Sequence, residues 1–424
     1  MPSGNAVGYG EWGPIDGWRR PKPEYWHIKK IYSPVKIVQR KAVLPDDGGK
    51  IVKVAVENRH LFTDLSELEI KWNIGEMSGD VPVNLPPGRS GILDIALPDM
   101  VNDGDTLDLR FFSPQDYLID RYRLILVGGT GEEEGIKEKE KSLPEPEVII
   151  YENRVSIAMG DETWSINAVN GKLDEVKKDN KTIIEDGPEL MLLPLRTGPC
   201  NTEHSLDIEP LNDVCRNWKG RITGTGEEGD AFYVEVQGEY DEAEMKLTYW
   251  FGRSPEVEIE YELIVKKDID PRQIGLVFSL PRQFDNFSWE RMGQWSYYPD
   301  YHIGRTRGSA KPFSPGMLMS QKYGTEPSGS WEQDFHFMGI NDFRATRDNL
   351  IWGKLADDEN EGVTFISDGH GAMRPYVGRD MIKVLAAGFS TAGGDLFFSS
   401  HLKEERYPLS EGSVFRSKLK LLVN

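Results

Sequence analysis

Leu68-Glu69-Ile70-Lys71-Trp72 alternates apolar and charged side chains with a period of two, which is the pattern of a strand that buries one face. The same kind of short strand recurs in three further segments, at residues 51–56, 107–112 and 122–127. Glycine- and proline-containing turn sequences separate these segments. About seven strands in roughly ninety residues predict an immunoglobulin-like sandwich over residues 35–127.

The rest of the chain divides around a charged stretch. Residues 128–146 combine glycines, a run of glutamates, alternating lysine and glutamate, and two prolines, so they are predicted to be an exposed linker. Beyond them, strands are predicted around residues 232–237, 244–251, 257–265, 274–280, 350–355, 363–367 and 417–422. Because no helical stripe interrupts these strands, residues 147–424 are predicted to form one large antiparallel β-sandwich. The predicted fold is therefore all-β.

Residues 1–34 differ from both predicted domains. They are rich in glycine and aromatic residues, offer no apolar periodicity of their own, and allow one short helix at residues 24–32 before Pro34. Such a segment is typical of the tail of a larger structure.

Charge and composition exclude several classes of partner. The 424 residues carry a formal net charge of −20, which disfavours nucleic acid and anionic membranes. No stretch approaches the ~20 apolar residues of a membrane helix. The N-terminus lacks a signal-peptide pattern, so the chain as it stands is expected in the cytoplasm, although a parent enzyme could be exported. Two cysteines, Cys200 and Cys215, favour a reducing compartment and could pair only in an exported protein.

The sequence shows no signature of a cofactor or a metal. It contains no glycine-rich phosphate loop and no zinc-type spacing, and the acidic segment 357–362 lacks the alternating ligands of a calcium loop. We therefore predict neither a cofactor nor a metal site.

Three groups of residues resemble those of a known family, and they occur in the same order along the chain as in that family. The first is Arg19-Arg20-Pro21-Lys22-Pro23 within residues 9–24, followed by Lys29-Lys30-Ile31-Tyr32-Ser33-Pro34. The second is Val56-Glu57-Asn58, Phe62-Thr63-Asp64-Leu65 and Trp72. The third is Pro271-Arg272-Gln273-Ile274-Gly275-Leu276, Leu280-Pro281, Trp289 and Tyr298-Pro299-Asp300. This pattern resembles the β-galactosidase branch of glycoside hydrolase family 2, over nearly the whole chain.

The resemblance implies a domain plan and a role. Residues 1–34 would be a remnant of the exit from a catalytic barrel, residues 35–127 the immunoglobulin-like domain, and residues 147–424 a large sandwich similar to galactose mutarotase. In this family the two catalytic glutamates lie on barrel strands, upstream of everything recognisable here, so no catalytic residue is predicted in this chain. Glu11 and Asp16 are interpreted as turn residues. The implied partners are the catalytic barrel domain or subunit, a β-galactoside-like carbohydrate and further copies in a homo-oligomer.

Loops of the large sandwich would close one side of the sugar pocket. The residues predicted to contact carbohydrate are Trp289, Arg291, Trp295, Tyr297, Tyr298, Trp331 and His336. Aromatic rings stack on the apolar faces of sugars, and basic groups donate to their hydroxyls. The alternative for Trp289 and Tyr298, as core residues of a strand and a turn, has equal weight. The segment also departs from the family pattern, because Trp289-Glu290-Arg291-Met292 leads to Tyr297-Tyr298 without the usual glutamate, so galactose is only the leading candidate.

Three alternatives remain open at this point. The chain could be a complementing small subunit of a split β-galactosidase, or a stand-alone carbohydrate-binding module. The third alternative is mutarotase chemistry, which needs an acid and a base on either side of a sugar. Its candidates would be three histidines close in sequence to carboxylates: His302, His336 and His370, near Glu290, Asp334 and Asp368. Because histidine beside a carboxylate is ordinary loop composition, mutarotase chemistry is the weakest of the three.

Overall fold

A computed structural model describes residues 14–15, 19, 23–45, 51–98, 100–128, 143–194, 212–292, 306–311, 345–391 and 407–424. These residues fall into two compact units, one ending at residue 128 and the other beginning at residue 143. Nearly all of their regular structure is strand, which confirms the all-β prediction.

The first unit is a two-sheet sandwich preceded by a helix. Its elements are α1 (Pro23–Ile31), β1 (Val35–Lys36), β2 (Lys41–Val43), β3 (Ile51–Asn58), β4 (Glu69–Ile74), β5 (Met77–Asp80), β6 (Ser90–Ala96), β7 (Thr106–Phe112) and β8 (Leu118–Val127). One sheet has the order β1-β3-β6 and the other β2-β8-β7-β4-β5, with β2 parallel to β8. In β3 every second residue is buried, as its sequence predicts, and Trp72 of β4 joins the same core.

Two of the motif residues have clear structural roles in this unit. Asn58 is fully buried and donates from Nδ2 to the carbonyl oxygens of Thr63 and Leu85, so it holds the following loop in place. Asp64 caps the short 3-10 turn Leu65–Glu67 by accepting from the Ser66 amide at 2.8 Å. The Asn and Phe-x-Asp-Leu pattern therefore encodes a fixed turn.

Helix α1 is attached to the sandwich by a buried charge. Lys30 Nζ lies 2.7 Å from Asp120 Oδ1 and 3.2 Å from the centroid of the Tyr122 ring. Both charged side chains are almost fully buried, and burial lowers the pKa of Lys30 to about 8. The Tyr122 hydroxyl donates to the Val35 carbonyl at 2.6 Å. These contacts fix the start of the sandwich against strand β8.

The second unit is a larger, curled and mostly antiparallel assembly. Its strands are β9 (Glu147–Ile150), β10 (Arg154–Met159), β11 (Glu162–Asn167), β12 (Leu173–Lys178), β13 (Lys181–Ile184), β14 (Asp186–Pro194), β15 (Lys219–Glu228), β16 (Ala231–Glu239), β17 (Ala243–Phe251), β18 (Glu256–Val265), β19 (Pro271–Pro281), β20 (Asn286–Arg291), β21 (Arg307–Ala310), β22 (Arg347–Ala356), β23 (Gly362–Val377), β24 (Met381–Ser390) and β25 (Val414–Val423). All seven segments predicted from the sequence fall on observed strands.

Strand β23 connects two parts of this assembly. Its first half, from Val363 to Ile366, pairs with β25, and its second half, from Ala372 to Val377, pairs with β24. The residues between the two halves, 367–371, form a bend at which the sheet forks. Strand β25 also pairs with β18, and strand β24 also pairs with β19, which is buried along almost its whole length. We call residues 367–371 the fork.

Within the described residues, none of the helices has the length and apolarity to cross a membrane.

Candidate functional site

Two of the residues predicted to contact carbohydrate lie on strand β20, and one of them is a core residue. Trp289 has no solvent-exposed surface. The Arg347 guanidinium lies 4.1 Å from the centroid of its ring, and the Phe287 ring packs 5.4 Å away. This environment favours the core interpretation of Trp289, whose ring faces are covered by protein. Arg291 is half-buried and pairs with Leu350 of β22.

The other predicted contacts fall outside the described residues. They are Trp295, Tyr297 and Tyr298 in segment 293–305, and Trp331 and His336 in segment 312–344. Glu11, Asp16, Cys200, His302 and Asp334 also lie outside the described part. Cys215 is described, and burial raises the pKa of its thiol to about 12.

The end of β20 packs against the fork of β23. The Met292 amide donates to the Asn349 carbonyl at 2.6 Å. Its side chain lies beside Gly369, where an added Cβ would stand 2.7 Å from Met292 Cγ. Gly369 has a φ of +93°, so both its backbone conformation and its close neighbour require glycine. Met292, the last described residue before segment 293–305, therefore lies next to the fork.

A cleft of about 240 Å³ opens at the fork, between β24 and β25. Its polar lining consists of Tyr261, Ser367, Asp368, His370, Arg416, Ser417 and Lys418. The size suits a small polar molecule, and the mixed lining offers donors and acceptors together with an aromatic ring. Burial raises the pKa of Tyr261 to about 12, so its hydroxyl remains protonated at neutral pH.

His370 and Asp368, one of the pairs considered for acid–base chemistry, lie in this cleft, where Asp368 serves the turn. Asp368 Oδ1 accepts from the backbone amide of His370 at 3.1 Å. Ser367 Oγ in turn accepts from the Gly371 amide at 2.9 Å. These hydrogen bonds hold the bend of the fork. Glu290, the carboxylate near His302 in sequence, accepts from Trp352 Nε1 at 3.0 Å.

A buried polar network lies on strands β19, β23 and β24. Gln273 and Arg374 are both fully buried, and Arg374 Nε donates to Gln273 Oε1 at 2.9 Å. The Gln273 amide also donates to Thr346 Oγ1 at 3.3 Å and to Ser390 Oγ at 3.2 Å. Arg374 Nη1 donates to Asn212 Oδ1 at 2.7 Å. A guanidinium is expensive to bury unless hydrogen bonds fix it, so this network rigidifies the site.

The network also joins residues that flank three segments of the chain. Asn212 directly follows segment 195–211. Thr346 lies after segment 312–344 with Ala345 between them, and Ser390 lies before segment 392–406 with Thr391 between them. Two further arginines, Arg272 and Arg347, are buried on neighbouring strands. Arg374 is not among the residues predicted from the sequence, although a charged residue within the apolar strand Ala372-Met373-Arg374-Pro375-Tyr376 is a usable signal.

Lys181 pairs with two of the three clustered carboxylates in the acidic turn between β22 and β23. The carboxylates of Asp357, Glu359 and Glu361 lie within 4.8 Å of one another. Lys181 Nζ reaches Asp357 Oδ2 at 2.5 Å and Glu361 Oε2 at 2.6 Å, and these bonds raise the pKa of Lys181. The arrangement is that of an ion-pair network between β13 and this turn.

Comparison with known proteins shows what the chain is similar to. Residues 158–309 match the family model described as the β-galactosidase small chain. A β-galactosidase of Priestia megaterium (strain DSM 319 / IMG 1521) is 22% identical over 339 residues, which are 73% of this chain and 31% of that protein. The chain thus spans about a third of the length of this curated relative. Together the two matches support a C-terminal β-galactosidase portion.

Solved structures also match the chain at low similarity. A galactose mutarotase-like protein from Lactobacillus casei ATCC 334 is 11% identical with a TM-score of 0.35, over 64% of this chain and 100% of that one. A galactose 1-epimerase from Lactobacillus acidophilus NCFM is 12% identical with a TM-score of 0.31, over 67% and 99% of the two chains. Similarity at this level carries no functional argument.

Proposed function

We propose that this chain is the non-catalytic C-terminal part of a retaining β-galactosidase of glycoside hydrolase family 2. In this proposal it completes the substrate pocket of a separate catalytic barrel and contributes to the subunit interface. The observation that carries the proposal is the match of residues 158–309 to the β-galactosidase small chain. The share of the relative that the chain covers, 31%, is consistent with a catalytic domain elsewhere in the assembled enzyme.

The geometry at the fork supports a pocket-completing role. Hydrolysis with retention requires two carboxyl groups about 5–5.5 Å apart, and both would belong to the catalytic barrel. The contribution of this chain is then positioning, which depends on rigid support. The packing of Met292 on Gly369 provides such support at the residue that precedes segment 293–305 in sequence, and the Gln273–Arg374 network provides it at residues that flank three other segments. In this arrangement Arg291, Trp295, Tyr297, Tyr298, Trp331 and His336 contact the sugar, and Trp289 supports them from the core.

Steady-state kinetics of the assembled enzyme test this role. The chain is mixed with a catalytic part, and the hydrolysis of an aryl β-galactoside is compared for wild type, Trp295→Ala and Tyr297→Ala. Loss of a stacking contact should raise KM about tenfold, with a smaller effect on kcat. Tyr117→Ala is the matched control, because Tyr117 is a 61% exposed aromatic residue of the first unit. An unchanged KM in both sandwich variants would contradict the pocket-completing role.

A further inference from the structure

Two aromatic rings lie side by side on the outer face of the second unit. Tyr233 of β16 and Trp250 of β17 are directly opposite each other in the strand register. Their ring centroids are 5.4 Å apart, with an angle of 49° between the ring planes. The next residues along each strand, Val234 and Tyr249, point into the core and are fully buried. The two half-buried rings therefore face away from the core.

The neighbouring strand provides a glycine on which the Tyr233 ring packs. Gly226 of β15 pairs with Tyr233, and Gly224 pairs with Glu235. A Cβ at Gly226 would stand 3.0 Å from the Tyr233 hydroxyl and 3.1 Å from a ring carbon. On the other side, Trp250 Nε1 donates to Glu260 Oε2 at 3.2 Å, which holds the indole in place. The aromatic pair is thus held on both sides, by the contact of Tyr233 with Gly226 and by the hydrogen bond of Trp250.

A trough of about 610 Å³ lies on the same face. Its polar lining includes Arg221, Thr223, Gln237, Glu244 and Lys246. Gln237 and Lys246 face each other across β16 and β17, four residues along the strands from the aromatic pair. Four residues of a strand span about 13 Å, so the trough and the rings are within the length of a short oligosaccharide.

Glu235 connects the trough with the aromatic pair. It lies midway between Tyr233 and Gln237 on β16. Lys246 Nζ contacts its carboxylate at 2.6 Å, and Thr223 Oγ1 donates to it at 3.0 Å. The charges further along the face are paired in the same way, as in Lys266–Glu239 and Arg416–Glu262. The face therefore presents hydrogen-bonding groups, several of which are held in ion pairs.

We propose that this face, defined by Tyr233, Trp250 and the adjacent trough, is a second binding site and that its ligand is a neutral oligosaccharide. Pyranose rings have apolar C–H faces that stack on aromatic side chains and hydroxyls that bond to polar ones, and both kinds of group are present. A protein partner would have to desolvate the ion pairs across the face, at a cost that hydrated hydroxyl groups avoid. A polyanion is opposed by the net charge of −20.

Calorimetric titration of the purified chain tests the proposal with two probes, β-1,4-galactotetraose and cellotetraose. Saturable binding of at least one probe is expected, with a Kd of about 1 mM or tighter. Trp250→Ala and Tyr233→Ala should each weaken it about tenfold. Gly226→Val is a second type of variant, because it keeps both aromatic residues but its side chain must displace the Tyr233 ring that packs on the glycine, and a strand accepts valine well. It should also weaken binding.

Trp352→Ala is the matched control for these variants. Trp352 is also half-buried and also donates from Nε1 to a glutamate on a neighbouring strand, at 3.0 Å to Glu290. The Arg307 guanidinium lies 5.9 Å from the centroid of its ring, and the residue is on another part of the assembly. Its loss should leave oligosaccharide binding unchanged. Flat titrations with both probes up to about 10 mM, ten times the limiting Kd, would overturn the proposal. Binding that is abolished by Trp295→Ala but unaffected by Trp250→Ala would also overturn it, while leaving the proposed pocket-completing role intact.

Discussion

Glu162 makes the stability of the second unit depend on pH in a direction opposite to that of most carboxylates. The residue begins strand β11, is 3% exposed, and accepts from Trp164 Nε1 at 3.0 Å. Burial raises its pKa from 4.5 to about 7, and the Trp164 hydrogen bond only partly opposes this shift. Folding therefore favours the protonated form of this side chain.

The sign of the effect follows from proton binding. Between about pH 4.5 and pH 7 the folded chain holds a proton on Glu162 that the unfolded chain has lost, so rising pH destabilises the folded state. A tenfold change in proton affinity corresponds to about 1.4 kcal/mol, so the whole shift corresponds to roughly 3 kcal/mol. Glu162→Gln keeps an oxygen acceptor for Trp164 but cannot ionise. The unfolding free energy of the variant minus that of wild type should therefore increase by roughly 2 to 3 kcal/mol when the pH is raised from about 5 to about 8.

Urea unfolding of both proteins at the two pH values measures this difference. Glu239→Gln is the control, because Glu239 is exposed and its hydrogen bond with Lys266 lowers its pKa below the usual 4.5. The stability that this group contributes is complete above about pH 4.5 and is lost only as the pH falls below that value, so the difference between this variant and wild type should be nearly the same at both pH values. A Glu162→Gln difference that is the same at both pH values would refute the reasoning for Glu162.

Three further substitutions test other parts of the structure. Lys30→Met should destabilise the first unit by about 3 kcal/mol in urea unfolding, because it leaves Asp120 buried without its cation, whereas Lys53→Met, at an exposed ion pair, should cost less than about 1 kcal/mol. Trp289→Ala should lower the unfolding free energy of the second unit by about 4 kcal/mol, and a Trp289→Ala protein that unfolds like wild type would contradict the core interpretation. Arg374→Met should lower the unfolding free energy of the second unit by about 2 kcal/mol, because the buried acceptors Gln273 Oε1 and Asn212 Oδ1 lose their donor, and it should raise KM in the assembled enzyme. Unchanged unfolding and unchanged kinetics would contradict a supporting role for the network.

The strands of this chain could be predicted from the sequence because their burial repeats every two residues. Trp72 in β4 and the strands β16 to β18 follow that pattern, and the buried face is visible in the order of side chains. The domain boundaries drawn at residues 34, 127 and 146 remain predictions. The short helix before Pro34 is present, at Pro23–Ile31.

The side-chain arrangements at the candidate site could not be predicted in the same way. Gln273 and Arg374 are 101 positions apart, and their contact depends on the register of β19, β24 and β23. The pairing of Tyr233 with Trp250 likewise depends on the length of the β16–β17 turn. Trp289 shows a different limit, because an aromatic residue of a strand has the same sequence pattern whether its ring packs in a core or faces a ligand. Only the neighbours in space distinguish the two, and here they are Arg347 and Phe287.

The most direct test of the proposed role is a complementation assay with an aryl β-galactoside. The purified chain is assayed alone, a catalytic part of a related β-galactosidase is assayed alone, and the two are then assayed together. The account predicts no hydrolysis by this chain alone and hydrolysis, or a clear increase in it, when the two are mixed. Hydrolysis by the purified chain alone would contradict the assignment of this chain as a non-catalytic part.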